Sequence, residues 1–429
     1  IPDYQRGYAW SEPQLKDFWN DLQQIEDGHN HYTGVVHLES VQSEAYEGWQ
    51  DDRWIIESKS FEPVYIVDGQ QRITTSIILI QVILETMEEG ETLNFTEKRD
   101  IQKKFIFDSK DGGISRSYIF GYEKDNPSYE FLKTDIFREH SSTSQRQETV
   151  YTQNLEYAKA FFKERTKDFS LPEKERLYKK LTQDLLFNIF AISEEIDVCV
   201  AFETMNNRGK RLSYLELLKN RLIYLSLKLD EVDYERQKLR DAINDCWKSI
   251  YHNLGRNKNY QLDDDAFLEA HWIIYNFDPS KAKKRASRRR IMSEHYFDEY
   301  SLHDDRPYSN LLRDIFIPKN LANPENDEEK ITLKRIYDYV SSLQNAVENW
   351  YYIHNPSDSS FDDETKIWLS KLTRLPSDQF HPLILATILK VESQRVRVGI
   401  IKQVEKYIFL SGLVPIVARH SSPFNGVAP

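Results

Sequence analysis

The run Val64-Tyr65-Ile66-Val67-Asp68-Gly69-Gln70-Gln71-Arg72-Ile73-Thr74-Thr75 constrains the fold more than any other part of this chain. Four β-branched or aromatic residues read as a short buried strand, and Asp68-Gly69 permits a sharp turn. The stretch from Arg72 to Glu89 then follows at once with helical character. Such a passage puts a sheet against helices, a mixed arrangement. Backbone N–H groups at the start of that helix favour an anion, and the planar fork of Arg72 suits phosphate oxygens. Asp68 could hold a divalent cation or polarise a water, and Gln70 or Gln71 could orient an attacking water. A plain turn capped by Asp68 accounts for the same residues, although polar groups between Val67 and Ile77 are awkward for it.

Around this centre the first half of the chain alternates between strand and helix signals. Ser11 and Pro13 start a helix with Leu15, Phe18, Trp19, Leu22 and Ile25 at helical spacing, and His31 to Val41 alternates as a strand. Further strands are expected at Lys104–Phe107, Ser117–Phe120, Phe187–Ile192 and Asp197–Glu203, with helices at Thr143–Arg165 and Pro172–Leu186. From Ser213 the pattern turns helical, with segments starting near Asp233, Asp263, Pro307, Glu325, Asp362, Ser377 and Arg395. The expected fold class is α+β, a mixed domain over residues 1–228 followed by an all-α domain over 229–429. A chain of 429 residues with 13% aromatics has the length and apolar surface for two such cores.

Two further segments carry polar groups in suggestive company. Ile1-Pro2-Asp3-Tyr4-Gln5-Arg6-Gly7-Tyr8-Ala9-Trp10 sets Gln5 and Arg6 among rings, which suits a base held by stacking and its phosphates by charge; a terminus whose aromatics cover the core explains it as well. In Ala201–Ser213 a strand runs into Asn206-Asn207-Arg208-Gly209, then a helix capped by Ser213. Asn207 and Arg208 could close over a ligand, or the segment could be a surface turn.

Together the three elements resemble the N-terminal domain of GmrSD-type modification-dependent restriction enzymes. The resemblance rests on Ile1-Pro2 through Trp10, Tyr32-Thr33-Gly34-Val35-Val36, Val67 to Thr75 and Phe202 to Asn220, and more weakly on Phe380 to Phe409. It implies a ParB/sulfiredoxin-like domain that binds and hydrolyses a nucleoside triphosphate, GTP or ATP, with Mg²⁺, coupled to recognition of modified or foreign DNA. Carried over by match, Tyr4, Gln5, Arg6 and Gly69 would bind the nucleotide together with Asn207 and Arg208. Asp68, Gln70, Gln71 and Arg72 would carry catalysis, with Asp68 meeting the metal. Members often continue into an HNH-type nuclease, but after Ser213 the histidines (His271, His295, His303, His354, His381 and His420) are scattered and form no such constellation. The nuclease domain is therefore expected downstream in a longer protein, consistent with a chain that begins at Ile1 without an initiator Met.

The remaining features bound the surroundings. A net charge of −12 excludes a protein that merely coats nucleic acid, so any DNA contact must be local. The basic run Lys281 to Arg290, with Lys283, Lys284, Arg285, Arg288 and Arg289, could grip DNA phosphates or form a solvated face balanced by Glu294, Asp298 and Glu299. His29, His31 and His37 fit no common metal spacing. Two isolated cysteines, Cys199 and Cys246, suit a reducing, cytoplasmic setting, and no apolar stretch reaches membrane-spanning length. Exposed aromatics on the helical half make a homo-oligomer plausible. A triphosphatase that regulates restriction leads the readings, ahead of a nucleotide- or DNA-binding module without turnover and a metal-dependent nuclease.

Overall fold

The strand at Val64 is an edge strand with only Val67 buried, and the helix after it runs through the core of the first unit. The structure, a computed structural model, describes every residue outside 3–4, 42, 50–51, 111–114, 125, 127, 140–148, 193–211, 258–261, 278–306, 323–329 and 421–429. The chain divides into two compact units, Ile1–Leu227 with Asp233–Arg256, and Lys228–Val232 with Asn257–Pro429.

In the first unit an N-terminal arm leads into α1 (Glu12–Gln24), β1 (His31–Ser40), α2 (Arg53–Lys59), β2 (Val64–Asp68) and α3 (Gln70–Thr86). The side chain of Gln14 accepts the Ser11 N–H at 3.0 Å, and Leu15, Phe18 and Leu22 form the buried face of α1. Helix α3 is buried nearly all round from Ile77 to Leu84, as a central helix must be. Next come α4 (Lys98–Phe105), the antiparallel pair β3 (Phe107–Lys110) and β4 (Ser115–Tyr118), α5 (Val150–Thr166), α6 (Leu171–Lys179) and β5 (Leu185–Ala191). The sheet that frames the site has the order β2-β1-β5, with β1 antiparallel to β2 and parallel to β5. Helices α7 (Tyr214–Lys228) and α8 (Asp233–Gly255) complete the unit. In α8, Trp247 donates to Leu215 O at 3.2 Å and Tyr251 packs edge-on against Tyr151, so this helix belongs to the first unit's core.

The sequence places a strand at Lys104–Phe107, where the structure ends α4 at Phe105 and starts β3 at Phe107. Ile101 anchors α4 in the core, and that burial carries the helix past Lys104. The strand expected at 197–203 lies outside the described residues.

The second unit contains α9 (Asp264–Tyr275), α10 (Leu333–His354), α11 (Asp363–Leu372), α12 (His381–Lys390) and α13 (Gln394–His420), and among the described residues it holds no strand. Its core gathers Phe267, His271, Tyr339 and Trp350. The segment at Pro307 forms two short turns, Pro307–Ser309 and Leu311–Ile315, instead of a long helix. The chain as a whole is thus mixed α+β.

Candidate functional site

The arm at the start of the chain is part of the core. Gln5 and Tyr8 are fully buried, and Asn126 donates to Gln5 O at 3.0 Å. The Gln5 amide nitrogen donates to both Ile66 O and Val67 O at 2.8 Å, which fastens the arm to the end of β2. Gln71 on α3 grips the arm from the other side. It accepts from Ala9 N at 2.8 Å and donates to Gly7 O at 3.1 Å. Tyr8 shares a 2.7 Å hydrogen bond with Thr75. Burial drives the Tyr8 and Tyr122 phenols well above their ordinary pKa, so both stay neutral beside the helix start.

The turn between β2 and α3 is built on Gly69. Its φ is +94°, and a Cβ there would come within 3.0 Å of Val36 Cγ2, so only glycine lets the turn lie against β1. No side chain caps α3 at Gly69. Thr74, Thr75 and Ser76 turn their hydroxyls back to the carbonyls of Gln70, Gln71 and Arg72 at 2.7, 2.8 and 2.9 Å. These bonds explain how so polar a stretch enters a buried helix.

Among the described residues, two acceptors at this corner, Gln5 Oε1 and Gln70 Oε1, are buried and receive no hydrogen bond. For Gln5 the assignment is secure, because its nitrogen lies between two carbonyl oxygens and a flipped amide would set oxygen against oxygen. A desolvated acceptor left empty costs about 1–3 kcal/mol.

Asp68 ends β2 with its carboxylate between two potential cations. His37 Nδ1 is 3.5 Å and Arg72 Nη2 3.9 Å from Oδ2. Arg72 is itself pinned, since Nη1 donates to Thr33 O at 2.8 Å and Nη2 to Val35 O at 2.6 Å. Gly34 makes room for this: its φ is +127°, and a Cβ would fall 1.9 Å from Arg72 Nη1. The guanidinium therefore ties α3 to β1 while keeping its charge beside Asp68.

Arg6 reaches across the unit to a residue 210 positions away. Its Nη1 lies 3.3 Å from Glu216 Oε2 with both side chains buried, and Tyr151 donates to the other carboxylate oxygen at 3.1 Å. Glu216 also accepts the Ser213 N–H at 2.9 Å while Ser213 Oγ accepts the Glu216 N–H at 3.2 Å, a reciprocal cap that fixes the start of α7.

The structure thus brings Gln5, Arg6, Asp68, Gly69, Gln70, Gln71 and Arg72 into one region. Tyr4, Asn207, Arg208 and the basic residues Lys283, Lys284, Arg285, Arg288 and Arg289 lie outside the described residues. Sequence reasoning missed His37 and Glu216. Glu216 carried a readable signal in the Ser213-x-x-Glu216 spacing, whereas His37 is revealed only by strand register. Among the described residues no group of three or more His, Cys, Asp or Glu could hold a metal ion. A magnesium ion is commonly held through one or two carboxylates plus substrate phosphates, and Asp68 fits that limited part.

A strand-turn-helix with an uncapped helix start, clamped by an N-terminal arm, sits in a unit of mixed α+β type. The chain matches the family GmrSD restriction endonuclease, N-terminal domain, over residues 1–223. That is more than half of its length, and the chain belongs to this family, which makes it a restriction, phage-defence protein. No curated protein matches the chain. Among the described residues no helix is long and apolar enough to cross a membrane.

Proposed function

We propose that the first unit, with a ParB/sulfiredoxin-like fold, binds a nucleoside triphosphate at the start of α3 and hydrolyses it to regulate restriction of modified or foreign DNA. The observation that carries this reading is the pair of empty buried acceptors, Gln5 Oε1 and Gln70 Oε1, beside an uncapped helix start. The N–H groups of the first turn hold phosphate oxygens. Gln70 and Gln5 accept hydrogen bonds from ligand donors, the attacking water among them, and so orient it. Its oxygen bonds to the γ-phosphorus, the bond to the bridging oxygen breaks, and the diphosphate and inorganic phosphate leave. Arg72 keeps positive charge beside the turn. Asp68 would hold Mg²⁺, which supplies charge neutralisation on the phosphates. The setting we propose is cytoplasmic, with GTP or ATP as nucleotide, a nuclease domain elsewhere in the longer protein as executor, the basic segment at 281–290 as a DNA contact, and a homo-oligomer as the assembly.

The test is phosphate release from the four nucleoside triphosphates, with and without modified DNA. Asp68→Asn and Gln70→Met are expected to lose at least about 100-fold in turnover with melting unchanged. Undiminished turnover in both variants sinks the catalytic assignment.

A second reading, binding without turnover, is favoured by one observation. Arg6 faces Glu216, and Arg72 is held by two carbonyls, so both cations near the turn are already engaged. Tight binding by calorimetry with no product over hours would decide for it.

A further inference from the structure

The sequence leaves His37 without a role, and the strand register supplies one. His37 stands directly opposite Asp68 in the β1–β2 ladder, so both side chains emerge on one face of the sheet. On its other flank it pairs with Phe190 of β5, and the two rings stack with centroids 5.9 Å apart at 30°. The ring is thereby held with Nδ1 3.5 Å from Asp68 Oδ2, an atom that Arg72 Nη2 also approaches at 3.9 Å. Nδ1 is buried and, among the described residues, makes no hydrogen bond, so its 3.5 Å approach to Oδ2 is an ion-pair contact awaiting a small rotation of either group. One oxygen of Asp68 thus faces two donors fixed to β1 and α3. Among the described residues Oδ1 has neither a hydrogen bond nor an ion pair.

We infer that His37 is a positioning residue for Asp68: its buried Nδ1–H attracts Oδ2 across 3.5 Å, and so presents Oδ1 as the oxygen that works on the ligand. A carboxylate turns easily about its last torsion, where the energy wells are broad and two-fold. A donor fixed beside one oxygen removes that freedom. The opposite tautomer, with hydrogen on Nε2, would set the Nδ1 lone pair against Oδ2 in a buried place, and this repulsion selects Nδ1–H. The arrangement parallels the outer partners that orient ligating groups in metal sites, whose loss typically costs about 10- to 100-fold in activity. The role of Oδ1 rests on the hydrolysis reading, whereas the orientation of the carboxylate does not.

The experiment has two arms. In the first, ¹⁵N NMR of the neutral His37 ring in the intact chain reads the tautomer. Nδ1–H is expected in the natural protein, with loss of that preference in Asp68→Ala. An Nε2–H ring in the natural protein overturns the inference. In the second arm, phosphate release is compared across His37→Ala, His37→Gln and His37→Asn, each checked for an unchanged melt. The asparagine amide nitrogen reaches the place of Nδ1, and that of glutamine reaches the place of Nε2. Hence His37→Asn should retain turnover while His37→Ala and His37→Gln lose about 10- to 100-fold in kcat at constant KM. Equal turnover in all three, or better rescue by glutamine, overturns it. If no nucleotide is turned over but the tautomer behaves as expected, the hydrolysis reading fails and the orientation of Asp68 stands.

Discussion

Gln71 gives both ends of its amide to the arm, so Gln71→Ala would strand the buried Gly7 carbonyl and remove the bond to Ala9 N–H. With a buried group left unsatisfied costing about 1–3 kcal/mol, we expect a loss of roughly that size, read as a lower urea midpoint. Among the described residues its neighbour Gln70 makes no side-chain hydrogen bond and buries an empty acceptor. Gln70→Met, which keeps the volume, should leave the midpoint unchanged while turnover falls. Gly34→Ala tests a third position. It combines a φ of +127° with a contact 1.9 Å from Arg72 Nη1, and should cost about 2 kcal/mol or more while displacing Arg72 from the β1 carbonyls. At this scale the sequence shows which residues matter and hides how they divide the work. The two glutamines are adjacent and chemically identical, but the partners of Gln71 lie more than 60 positions away. Nothing local distinguishes the clamp from the empty acceptor.

At the scale of elements, α3 and α5 are joined by an ion cluster in which Glu85 and Lys159 are largely buried while Lys163 and Arg138 are exposed. Glu85 near the end of α3 meets Lys159 and Lys163 of α5 at 2.8 Å each and Arg138 at 2.9 Å, while Lys159 also donates to Asp135 O and Ile136 O. Burial by itself would raise the Glu85 pKa, but hydrogen bonds from Lys159 and Lys163 outweigh it and hold the carboxyl below the usual range. A carboxyl lowered on folding stabilises above its unfolded pKa, and that contribution fades as pH falls through the lower folded value. Glu85→Ala should therefore cost about 3 kcal/mol at neutral pH, because Lys159 keeps a buried charge without its counter-ion, and the deficit should shrink in acid. Urea titrations at neutral and acid pH check both halves. The elements that frame the site, β1, β2 and α3, were legible because alternation and a glycine turn mark them. The boundary at Lys104 was not, since a four-residue window rich in Lys and Phe fits strand and helix equally until Ile101 finds the core.

For the molecule as a whole, the change to helix after Ser213 was readable from periodicity. That α8 packs with the first unit was not, because burial partners such as Leu215 for Trp247 leave no trace in helical spacing. The second unit carries its own acid sensitivity. Burial pushes His271 down to about 4 and, with His354 beside it, His381 to about 4 as well. A neutral buried histidine contributes stability above its unfolded pKa of 6.5 and loses it as pH falls towards the folded value, up to roughly 3 kcal/mol for His271. The melting temperature of the second unit should drop between pH 6.5 and 4, and His271→Phe should flatten that drop in calorimetry. The buried arm has a consequence for how the chain is made. Residues 5 to 9 leave the ribosome before their anchors at Ile66, Gln71, Asn126 and Glu216, which are translated 61 to 210 positions later. The arm must wait, unfastened, until these partners emerge. Closing such distant contacts is slow, so the corner at Gly69 is among the last features of a newborn molecule to take shape.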